Sequence, residues 1–404
     1  MEILVQKFGG TSVGSYEKMN EVCKIIKAYK ETYKDLKLVV VVSAMGRKGS
    51  PYATDTLISL LSEINDQPNK RELDMIMSCG EIISGTVLTN MLQVRNIKAT
   101  FLTGYQAGII TTNNFSDAKI LDINTERILK ELNDNNVVVI AGFQGKTEDG
   151  EITTLGRGGS DTSAVAIGKA LNCSRVEIYT DVDGIMTADP RIEPDAKVLD
   201  CIDYEEVFQM AEKGAKVIHP RAVSLARSAN ITLSIKNTLN PEFAGTRICT
   251  ECQREYMEYE VKNSLMTAVA HKDKVAQVKI KASEDDFTNI LNDIEKENIS
   301  IDMINFFIEE KAFVVEEEYI EQLENILKKS NIEYSIRKNC AKVTLIGAKI
   351  NGIPGVMSRL VKALSKENIP LLQTSDSSMT ISCLVDSNDI SKSVHAIHNE
   401  FHLN

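Results

Sequence analysis

The sequence has no excess of basic residues: its 46 lysines and arginines are outnumbered by 57 aspartates and glutamates, giving a net charge of −11. A nucleic-acid-binding protein normally carries a basic face, so this balance argues against nucleic acid as a partner. The chain also lacks a run approaching the roughly 18 apolar residues of a membrane span. Met1–Val5 predicts the start of a strand rather than a signal peptide. We therefore expect a cytoplasmic protein with no membrane partner.

Few of the potential metal-ligating residues occur at the spacings that are typical of metal sites. The eight cysteines are scattered through apolar or helical segments, which favours buried, reduced thiols. Cys249 and Cys252 have the spacing of a metal or redox pair, but no second pair follows at zinc spacing. His395, His398 and His402 fall on one helical face, and this pattern favours a solvated surface. The sequence predicts no metal site.

The first part of the chain alternates strands and helices. Leu38–Val42, Val137–Ala141 and Val176–Tyr179 are rich in β-branched residues, as in strands buried on both faces. Helical stretches such as Tyr16–Tyr33 and Arg71–Leu92 separate them. The pattern predicts a three-layer α/β sandwich with a mainly parallel central sheet. In such sheets ligands bind at the carboxyl ends of the strands.

The last part of the chain repeats itself. Val275–Ile280 resembles Cys340–Leu345, and Lys296–Ile299 matches Lys366–Ile369. Each copy reads as strand, loop, helix, strand, strand, helix, which is a ferredoxin-like βαββαβ pattern short by one strand. We expect the two copies to exchange that strand and to complete each other's core.

These patterns define the expected domains. A charged stretch with few apolar residues follows Pro241 and Gly245, and it predicts a linker over 247–262. The first domain, the α/β sandwich, is therefore expected at 1–246. The two repeats are expected at 263–338 and 339–404.

The segment Gly156–Thr162 concentrates the chemistry of the chain. Its three glycines allow a close backbone approach to an anion, and Arg157 can grip a carboxylate or a phosphate with paired donors. A small, helix-prone run follows, so the loop lies at a helix N-terminus, where anions bind. Asp161 needs a cation beside it in such a place. The loop therefore predicts an anion-binding site in which Asp161 orients a nearby cation.

A second glycine turn supplies that cation. Val5–Gly14 ends a strand in a glycine-rich turn, whose backbone N–H groups form an anion nest that Lys7 can reach across. Phosphoryl transfer requires positioning and charge neutralisation more than covalent chemistry. Lys7 facing Arg157 and Asp161 meets that requirement. The two turns together predict a phosphoryl-transfer site.

Two other phosphate-binding patterns are excluded. Gly142–Thr147 ends like a P-loop, but Ile140 stands where that motif needs its first glycine. The Gly156 loop resembles a dinucleotide fingerprint, but Asp161 occupies the position of the third glycine. The protein is therefore expected to be neither a P-loop NTPase nor a Rossmann dehydrogenase.

The motifs together resemble aspartate kinase, of the amino-acid kinase superfamily, and the repeated tail resembles the tandem ACT domains of that family. The resemblance runs in order through Lys7–Ser12, Val42–Gly46, Gly80–Glu81, Thr154–Ala164, Tyr179–Arg191 and Val217–Arg221. It implies that ATP phosphorylates the β-carboxylate of L-aspartate, at the start of the pathway to lysine, threonine, methionine and diaminopimelate. The absence of a homoserine dehydrogenase extension implies a monofunctional enzyme.

The resemblance also assigns roles to residues. Lys7 and Asp161 are implied as the catalytic pair, with Mg²⁺ arriving on ATP. The implied ATP-binding residues are Lys7, Phe8, Gly9, Gly10, Thr180, Asp181, Met186, Arg191, Lys216 and Val217. The implied substrate-binding residues are Ser43, Thr54, Glu81, Arg157, Gly158, Gly159 and Ser160, with Arg157 on the α-carboxylate and Glu81 on the α-ammonium group of aspartate. The insertion Arg47–Ala53 lies just before Thr54.

Regulation is implied by the same resemblance. Ser300, Ile301 and Asp302 match positions that bind an amino-acid effector, which we expect to be lysine, with Asp302 holding its amino group. The implied assembly is a homodimer formed through the ACT domains, with a dimer of dimers as the larger alternative. Two rival functions stay open: another amino-acid kinase, or a catalytically silent amino-acid sensor.

Overall fold

The computed structural model describes residues 2–134, 137–215, 217–250, 252, 266–308, 310–330, 332–348, 350 and 353–403. The chain forms two compact units. The N-terminal unit consists of Met1–Ile185, Val198–Phe208 and Lys216–Glu255, and the C-terminal unit of Met186–Lys197, Gln209–Ala215 and Tyr256–Asn404. Two short segments within the predicted 1–246 domain thus lie in the C-terminal unit. Most of the predicted linker, 253–262, lies outside the described residues.

An eight-stranded sheet forms the centre of the N-terminal unit. In spatial order its strands are Cys201–Ile202, Thr246–Ile248, Thr232–Asn237, Arg175–Thr180, Ile3–Phe8, Lys37–Val42, Val137–Ala141 and Ala99–Leu102. Neighbouring strands are parallel except at the antiparallel pairing of Thr232–Asn237 with Thr246–Ile248. The predicted mainly parallel α/β sheet is confirmed.

The burial of the central strands explains their composition. Val137–Ala141 is buried at every position, and Lys37–Val42 at every position after its first residue. Strands covered by helices on both faces have no polar side, so they become continuous runs of valine and isoleucine. Because Ile3–Phe8 lies between two parallel neighbours, the glycine turn that follows it lies beside two other strand ends.

Further elements complete this part of the chain. A smaller four-stranded sheet has the spatial order Ile120–Ile123, Ile109–Thr111, Gln144–Lys146, Ile152–Thr154. The helices are Tyr16–Thr32, Thr54–Ser62, Lys70–Val94, Glu126–Asp134, Gly159–Ala170, Tyr204–Glu212 and Pro220–Ala229.

The helix Lys70–Val94 is long and apolar enough to cross a membrane by length and composition, although no membrane span was predicted from the sequence. In the structure, 56% of its apolar window is buried within the protein. It also carries the buried carboxyl groups of Asp74 and Glu81. Asp74 accepts hydrogen bonds from the backbone and hydroxyl groups of Ser116 and Thr154. These features are those of a core helix.

The C-terminal unit is built on a six-stranded antiparallel sheet. In spatial order its strands are Ile301–Phe306, Lys311–Glu316, Met266–Lys281, Glu333–Gly347, Thr380–Asp386 and Gln373–Asp376. Its α-helices are Glu284–Lys296, Ile320–Lys329, Val356–Lys366 and Ile390–Glu400.

The two central strands of this sheet each serve both repeats. Met266–Lys281 pairs with Glu333–Gly347 along nearly its whole length. The second half of Met266–Lys281 also pairs with Lys311–Glu316, in the first repeat, whereas the second half of Glu333–Gly347 pairs with Thr380–Asp386, in the second. The predicted exchange of a strand between the two copies is therefore confirmed.

The segment Met186–Lys197 packs within the C-terminal unit. Its Ala188 and Ala196 belong to the hydrophobic core of the second repeat. The hydroxyl group of Thr187 lies 2.9 Å from Nε2 of His398, which is fully buried. The prediction of a solvated histidine face is therefore wrong for His398, because a segment distant in sequence covers that side of the helix.

The expectation of reduced thiols is wrong for two cysteines. Cys201 and Cys252 are joined by a disulfide in the structure, and Cys249 lies beside both. Cys23, Cys173, Cys340 and Cys383 are buried and free, whereas Cys79 is free and exposed. The pairing was missed because Cys201 reaches Cys252 through strand pairing, which sequence spacing does not record.

Candidate active site

An ion pair joins the two glycine-rich segments. Lys7 is the next-to-last residue of the strand Ile3–Phe8, and Asp161 lies in the first turn of the helix Gly159–Ala170. The Nζ atom of Lys7 is 2.6 Å from Oδ1 of Asp161, with side chains 11% and 12% exposed. The predicted meeting of the two turns is thus present. Such a pair presents an oriented cation at the carboxyl edge of the sheet.

Gly10 is required by the close approach of a neighbouring turn. A Cβ atom at Gly10 would lie 2.8 Å from the carbonyl oxygens of Ala44 and of Gly46, so no other residue fits without a backbone shift. Gly46 in turn donates its N–H to the carbonyl of Gly10. The turn after the first strand and the turn after the second are therefore held against each other.

Some of the predicted anion donors are already engaged. The N–H of Gly9 donates to the carbonyl of Tyr179, and the N–H of Gly159 donates to the carbonyl of Gly156. The implied role of these two glycines as phosphate or substrate donors does not match this arrangement. Among the described residues, the N–H groups of Gly10 and Gly158 make no such backbone bond, so these two stay candidates for the predicted role.

The loop around Arg157 is held in an unusual backbone shape. Gly156 and Gly158 flank Arg157 with φ of +71° and +68°, a region that favours glycine. A Cβ atom at Gly158 would lie 2.2 Å from the side chain of His219. Arg157 itself is exposed, and no described carboxylate lies within ion-pair distance of it. A guanidinium group on a rigid loop is thus available for an anion.

Two residues behind this loop fix its position. Arg221 donates from Nη1 to the carbonyl of Leu155 and from Nη2 to Oδ1 of Asp117. His219 caps the helix Pro220–Ala229 by accepting the N–H of Arg221 at Nδ1, and its burial lowers the pKa of its imidazole group. These contacts give His219 a structural role. Asp117 was not found from the sequence, because it carries no motif.

Glu81 is a buried acceptor. It is 2% exposed, and its Oε1 accepts the N–H of Ala44 at 2.9 Å. Its Oε2 has no hydrogen-bond partner among the described residues. Burial raises the pKa of Glu81 to about 8, although the hydrogen bond from Ala44 and the charge of Lys7 act in the opposite direction. A carboxyl group of this kind becomes anionic readily when a cation binds beside it.

The other implied substrate contacts lie on nearby elements of the same unit. Ser43 follows the strand Lys37–Val42; it donates its N–H to the carbonyl of Phe8 and accepts the hydroxyl of Ser84 at its own carbonyl. Thr54 is the first residue of the helix Thr54–Ser62 and is half-buried. Ser160 is buried beside Gly142.

The expected nucleotide side begins at the end of the strand Arg175–Thr180. Thr180 ends this strand and donates its hydroxyl to Asp181. Arg47 lies 2.8 Å from Asp181 across an ion pair, so the insertion that precedes Thr54 contributes a residue here that the sequence did not identify. A small cavity at this strand end is lined by Thr180 and Asp181 and also by Ser12 and Thr238.

Other implied nucleotide residues differ in position. Phe8 is fully buried and stacks on Tyr179, so its side chain belongs to the core and only its backbone can meet a ligand. Met186 and Arg191 belong to the C-terminal unit, where Arg191 pairs with Asp189. Val217 is half-buried, and Lys216 lies outside the described residues.

Asp302, the residue predicted to hold the amino group of the effector, is already paired with a lysine of the chain. Ser300 precedes the strand Ile301–Phe306, and the carboxylate of Asp302 accepts the N–H of Met303 at 2.8 Å. Its other oxygen forms an ion pair with Lys342, whose side chain is 5% exposed. Burial lowers the pKa of Lys342, and the contact with Asp302 offsets this only in part. The sequence did not predict this pair.

Comparisons with known proteins agree with this geometry. Residues 2–237 match the amino acid kinase family, and residues 335–399 match the ACT domain. The chain is 42% identical to aspartokinase 1 of Bacillus subtilis, a match that covers 100% of both chains. It is 37% identical to aspartate kinase of Pseudomonas putida, over 100% of this chain and 98% of that protein.

Solved structures show the same fold. The crystal structure of Escherichia coli aspartokinase III in complex with aspartate and ADP has a TM-score of 0.79 at 25% identity, over 99% of both chains. The aspartate kinase of Clostridium acetobutylicum has a TM-score of 0.78 at 23% identity, over 98% of this chain and 100% of that one. The family match over residues 2–237 and the full-length matches to aspartokinases show that this chain belongs to the amino acid kinase family and, within it, to the aspartokinases.

Proposed function

We propose that this protein transfers the γ-phosphoryl group of ATP to the β-carboxylate of L-aspartate, giving 4-phospho-L-aspartate and ADP. The observation that carries the proposal is the Lys7–Asp161 ion pair, 2.6 Å long and nearly buried at the carboxyl edge of the sheet. The E. coli relative was crystallised with aspartate and ADP, which are the substrate and product expected on this proposal.

Lys7 acts on the transferring group. Negative charge on the phosphoryl oxygens is best stabilised by a cation that is already oriented, because no reorganisation is then needed during the reaction. Asp161 provides that orientation by holding the Nζ atom of Lys7. The acceptor carboxylate of aspartate is already an anion, so the reaction requires no general base. This agrees with a structural role for His219.

Arg157 and Glu81 divide the recognition of the amino acid. The exposed guanidinium group of Arg157 binds the α-carboxylate with paired donors. The unpartnered Oε2 atom of Glu81 receives the α-ammonium group. Because both charged groups of aspartate are then held, the β-carboxylate is left to face the nucleotide, and a longer acidic amino acid would place its carboxylate incorrectly.

Mg²⁺ fits this site as an ion carried by ATP. Magnesium prefers oxygen ligands and is usually held by substrate phosphates with few protein groups. The part of the chain that the structure describes holds one cluster of three or more candidate metal ligands, and it consists of cysteine thiols. Asp161 is engaged by Lys7 and Asp181 by Arg47. Bound in this way, the ion would neutralise phosphate charge next to Lys7.

We further propose that the C-terminal unit regulates this reaction. The ACT match over residues 335–399 and the repeated architecture support binding of an amino-acid effector, and lysine is our first candidate. With the family membership as support, we also propose a cytoplasmic enzyme of the lysine, threonine, methionine and diaminopimelate pathway, assembled as a homodimer through its ACT domains. Assays of the initial rate with lysine, threonine or methionine test this; no change with any of them would refute it.

One assay tests the central proposal. The purified protein is incubated with ATP, Mg²⁺ and hydroxylamine, which traps an acyl phosphate as a hydroxamate, and with either L-aspartate or L-glutamate. We expect ATP-dependent hydroxamate with aspartate and little with glutamate. Preference for glutamate would indicate another amino-acid kinase, and no hydroxamate with either would indicate a silent sensor.

A further inference from the structure

Three cysteines converge in the N-terminal unit, away from the residues assigned to catalysis. The sulfur atoms of Cys201, Cys249 and Cys252 all lie within 4.8 Å of one another. The Sγ atom of Cys249 is 3.6 Å from that of Cys201 and 3.1 Å from that of Cys252. Cys201 and Cys252 are 8% and 3% exposed, and Cys249 is half-buried.

Strand pairing produces this convergence. Cys201–Ile202 is the edge strand of the eight-stranded sheet and pairs in parallel with Thr246–Ile248. Cys249 follows that strand directly and donates its N–H to the carbonyl of Ile202. Cys252 comes three residues later, at the i, i+3 spacing common among zinc ligands. A third thiol thus joins the Cys-x-x-Cys pair that the sequence left without partners.

We propose that the reduced thiols of Cys201, Cys249 and Cys252 form a binding site for a soft metal ion of the zinc class. A disulfide uses two of the three sulfurs and leaves the third in contact with both. A metal ion bonded to each sulfur at about 2.3 Å holds the sulfurs roughly 3.8 Å apart. The 3.6 Å between Cys201 and Cys249 is close to this spacing, whereas the sulfur of Cys252, bonded to Cys201 and 3.1 Å from Cys249, has to move outward when the disulfide is reduced. One ion therefore satisfies all three groups.

The chemistry balances as follows. Reduction of the Cys201–Cys252 disulfide takes two electrons and two protons. A dithiol supplies both and becomes a disulfide, whereas a phosphine supplies the electrons and becomes its oxide, taking the oxygen of one water molecule whose two protons go to the thiols. Binding of a divalent ion then releases the protons of the three thiols, because the thiolate is the ligand. Three thiolates leave a fourth position for water. The site would tie the edge strand to the last described residues of the N-terminal unit before the chain continues into the C-terminal unit.

Cobalt provides a direct probe of this site. The full-length protein is reduced anaerobically with a phosphine and titrated with Co²⁺, whose bonds to thiolates produce charge-transfer absorption in the near ultraviolet. We expect this band to saturate at one ion per chain and to disappear when Zn²⁺ is added. Cys249→Ser should weaken binding at least ~100-fold, because one of three ligands is lost.

Matched variants keep the proposal falsifiable. Cys79→Ser removes an exposed thiol outside the cluster and should leave cobalt binding unchanged. Circular dichroism and kinase activity report whether Cys249→Ser and Cys201→Ala remain folded. The proposal is overturned if the reduced wild-type protein shows no thiolate band, or if Cys249→Ser binds cobalt as the wild type does. It is also overturned if the disulfide cannot be reduced in the folded protein.

Discussion

The two units each contain a lysine–aspartate ion pair whose lysine is largely buried, and the pairs differ in their settings. Lys7 and Asp161 meet where a parallel strand ends and a helix begins, and both side chains are about equally shielded, at 11% and 12% exposure. Lys342 lies within a central antiparallel strand at 5% exposure, whereas its partner Asp302, on an edge strand, is 45% exposed.

This difference determines which member of each ion pair another molecule can reach. In the N-terminal unit the aspartate holds the lysine at a strand end, where parallel sheets bind ligands, so on the proposed function the cation is the group that faces the substrate. In the C-terminal unit the lysine is fixed by the sheet, and the half-exposed carboxylate is the group that another molecule can reach. The same ion pair thus suits catalysis in one place and recognition of a cation in the other.

Replacing each lysine in turn is the strongest test of this contrast. Lys7→Met should lower kcat by about 10³-fold with a much smaller change in the KM for aspartate, since its charge acts mainly in the transition state. Lys342→Met serves as the matched control and should leave kcat without effector within about twofold. Steady-state kinetics measure both. Equal losses from the two variants would remove the distinction.

Arg157 extends the comparison to a cation that lacks a described partner. Arg157→Ala should raise the KM for aspartate by about 100-fold, as expected when a charged, paired hydrogen bond is lost, with a smaller change in kcat. Arg127→Ala removes an exposed arginine paired within its own helix and provides the control. If the KM for aspartate is unchanged in Arg157→Ala, the assigned clamp is wrong.

Glu81 differs from the two paired aspartates, because it is a buried carboxyl group that no described lysine contacts directly. This difference can be tested through the pH dependence of the KM for aspartate. Its pKa is raised to about 8 by burial, so below that pH the substrate ammonium group must displace a proton. The KM for aspartate should fall as pH rises toward about 8, by up to roughly tenfold per unit. Glu81→Gln should flatten this dependence. The exposed Glu72→Gln, on the same helix, should retain it; a wild-type KM independent of pH would refute the assignment.

The smallest expected effect concerns regulation. Removing the ammonium group of Lys342 leaves the carboxylate of Asp302 without its cation, so Lys342→Met should lower the lysine concentration that gives half-inhibition by a few-fold, about the value of a partly exposed ion pair. Asp302→Asn should raise that concentration. Lys279→Met breaks an exposed pair in the same sheet and should have no effect. Inhibition curves unchanged in both Lys342→Met and Asp302→Asn would separate this pair from effector binding.

The parts of the fold that sequence predicted are those governed by local pattern. Buried strands such as Val137–Ala141 can be recognised from their composition, and the strand-end rule predicts from the sequence alone that Lys7 lies near Asp161. The role of Glu81 came from family resemblance alone. A glutamate within a helix carries no local sign that it will be 2% exposed.

The parts that sequence missed depend on distant segments. Lys342 reaches Asp302, and Cys201 reaches Cys249, only through strand pairing. His398 is buried because Met186–Lys197 covers it, and this segment was assigned to the other domain. The engagement of the Gly9 N–H by Tyr179 likewise depends on a neighbouring strand. No periodicity or motif within a single segment contains such information.

The two long central strands of the six-stranded sheet also determine which parts of the C-terminal unit can be deleted. Met266–Lys281 and Glu333–Gly347 pair with each other, and each of them forms strand pairs in both repeats. A chain that ended after the first repeat would keep Met266–Lys272 but lose the strand against which it lies, exposing an unpaired edge that promotes aggregation. Excision of the first repeat would remove half of the pairing of the second. The two repeats therefore form one structural unit, and a deletion that leaves the rest of the sheet paired has to remove both of them.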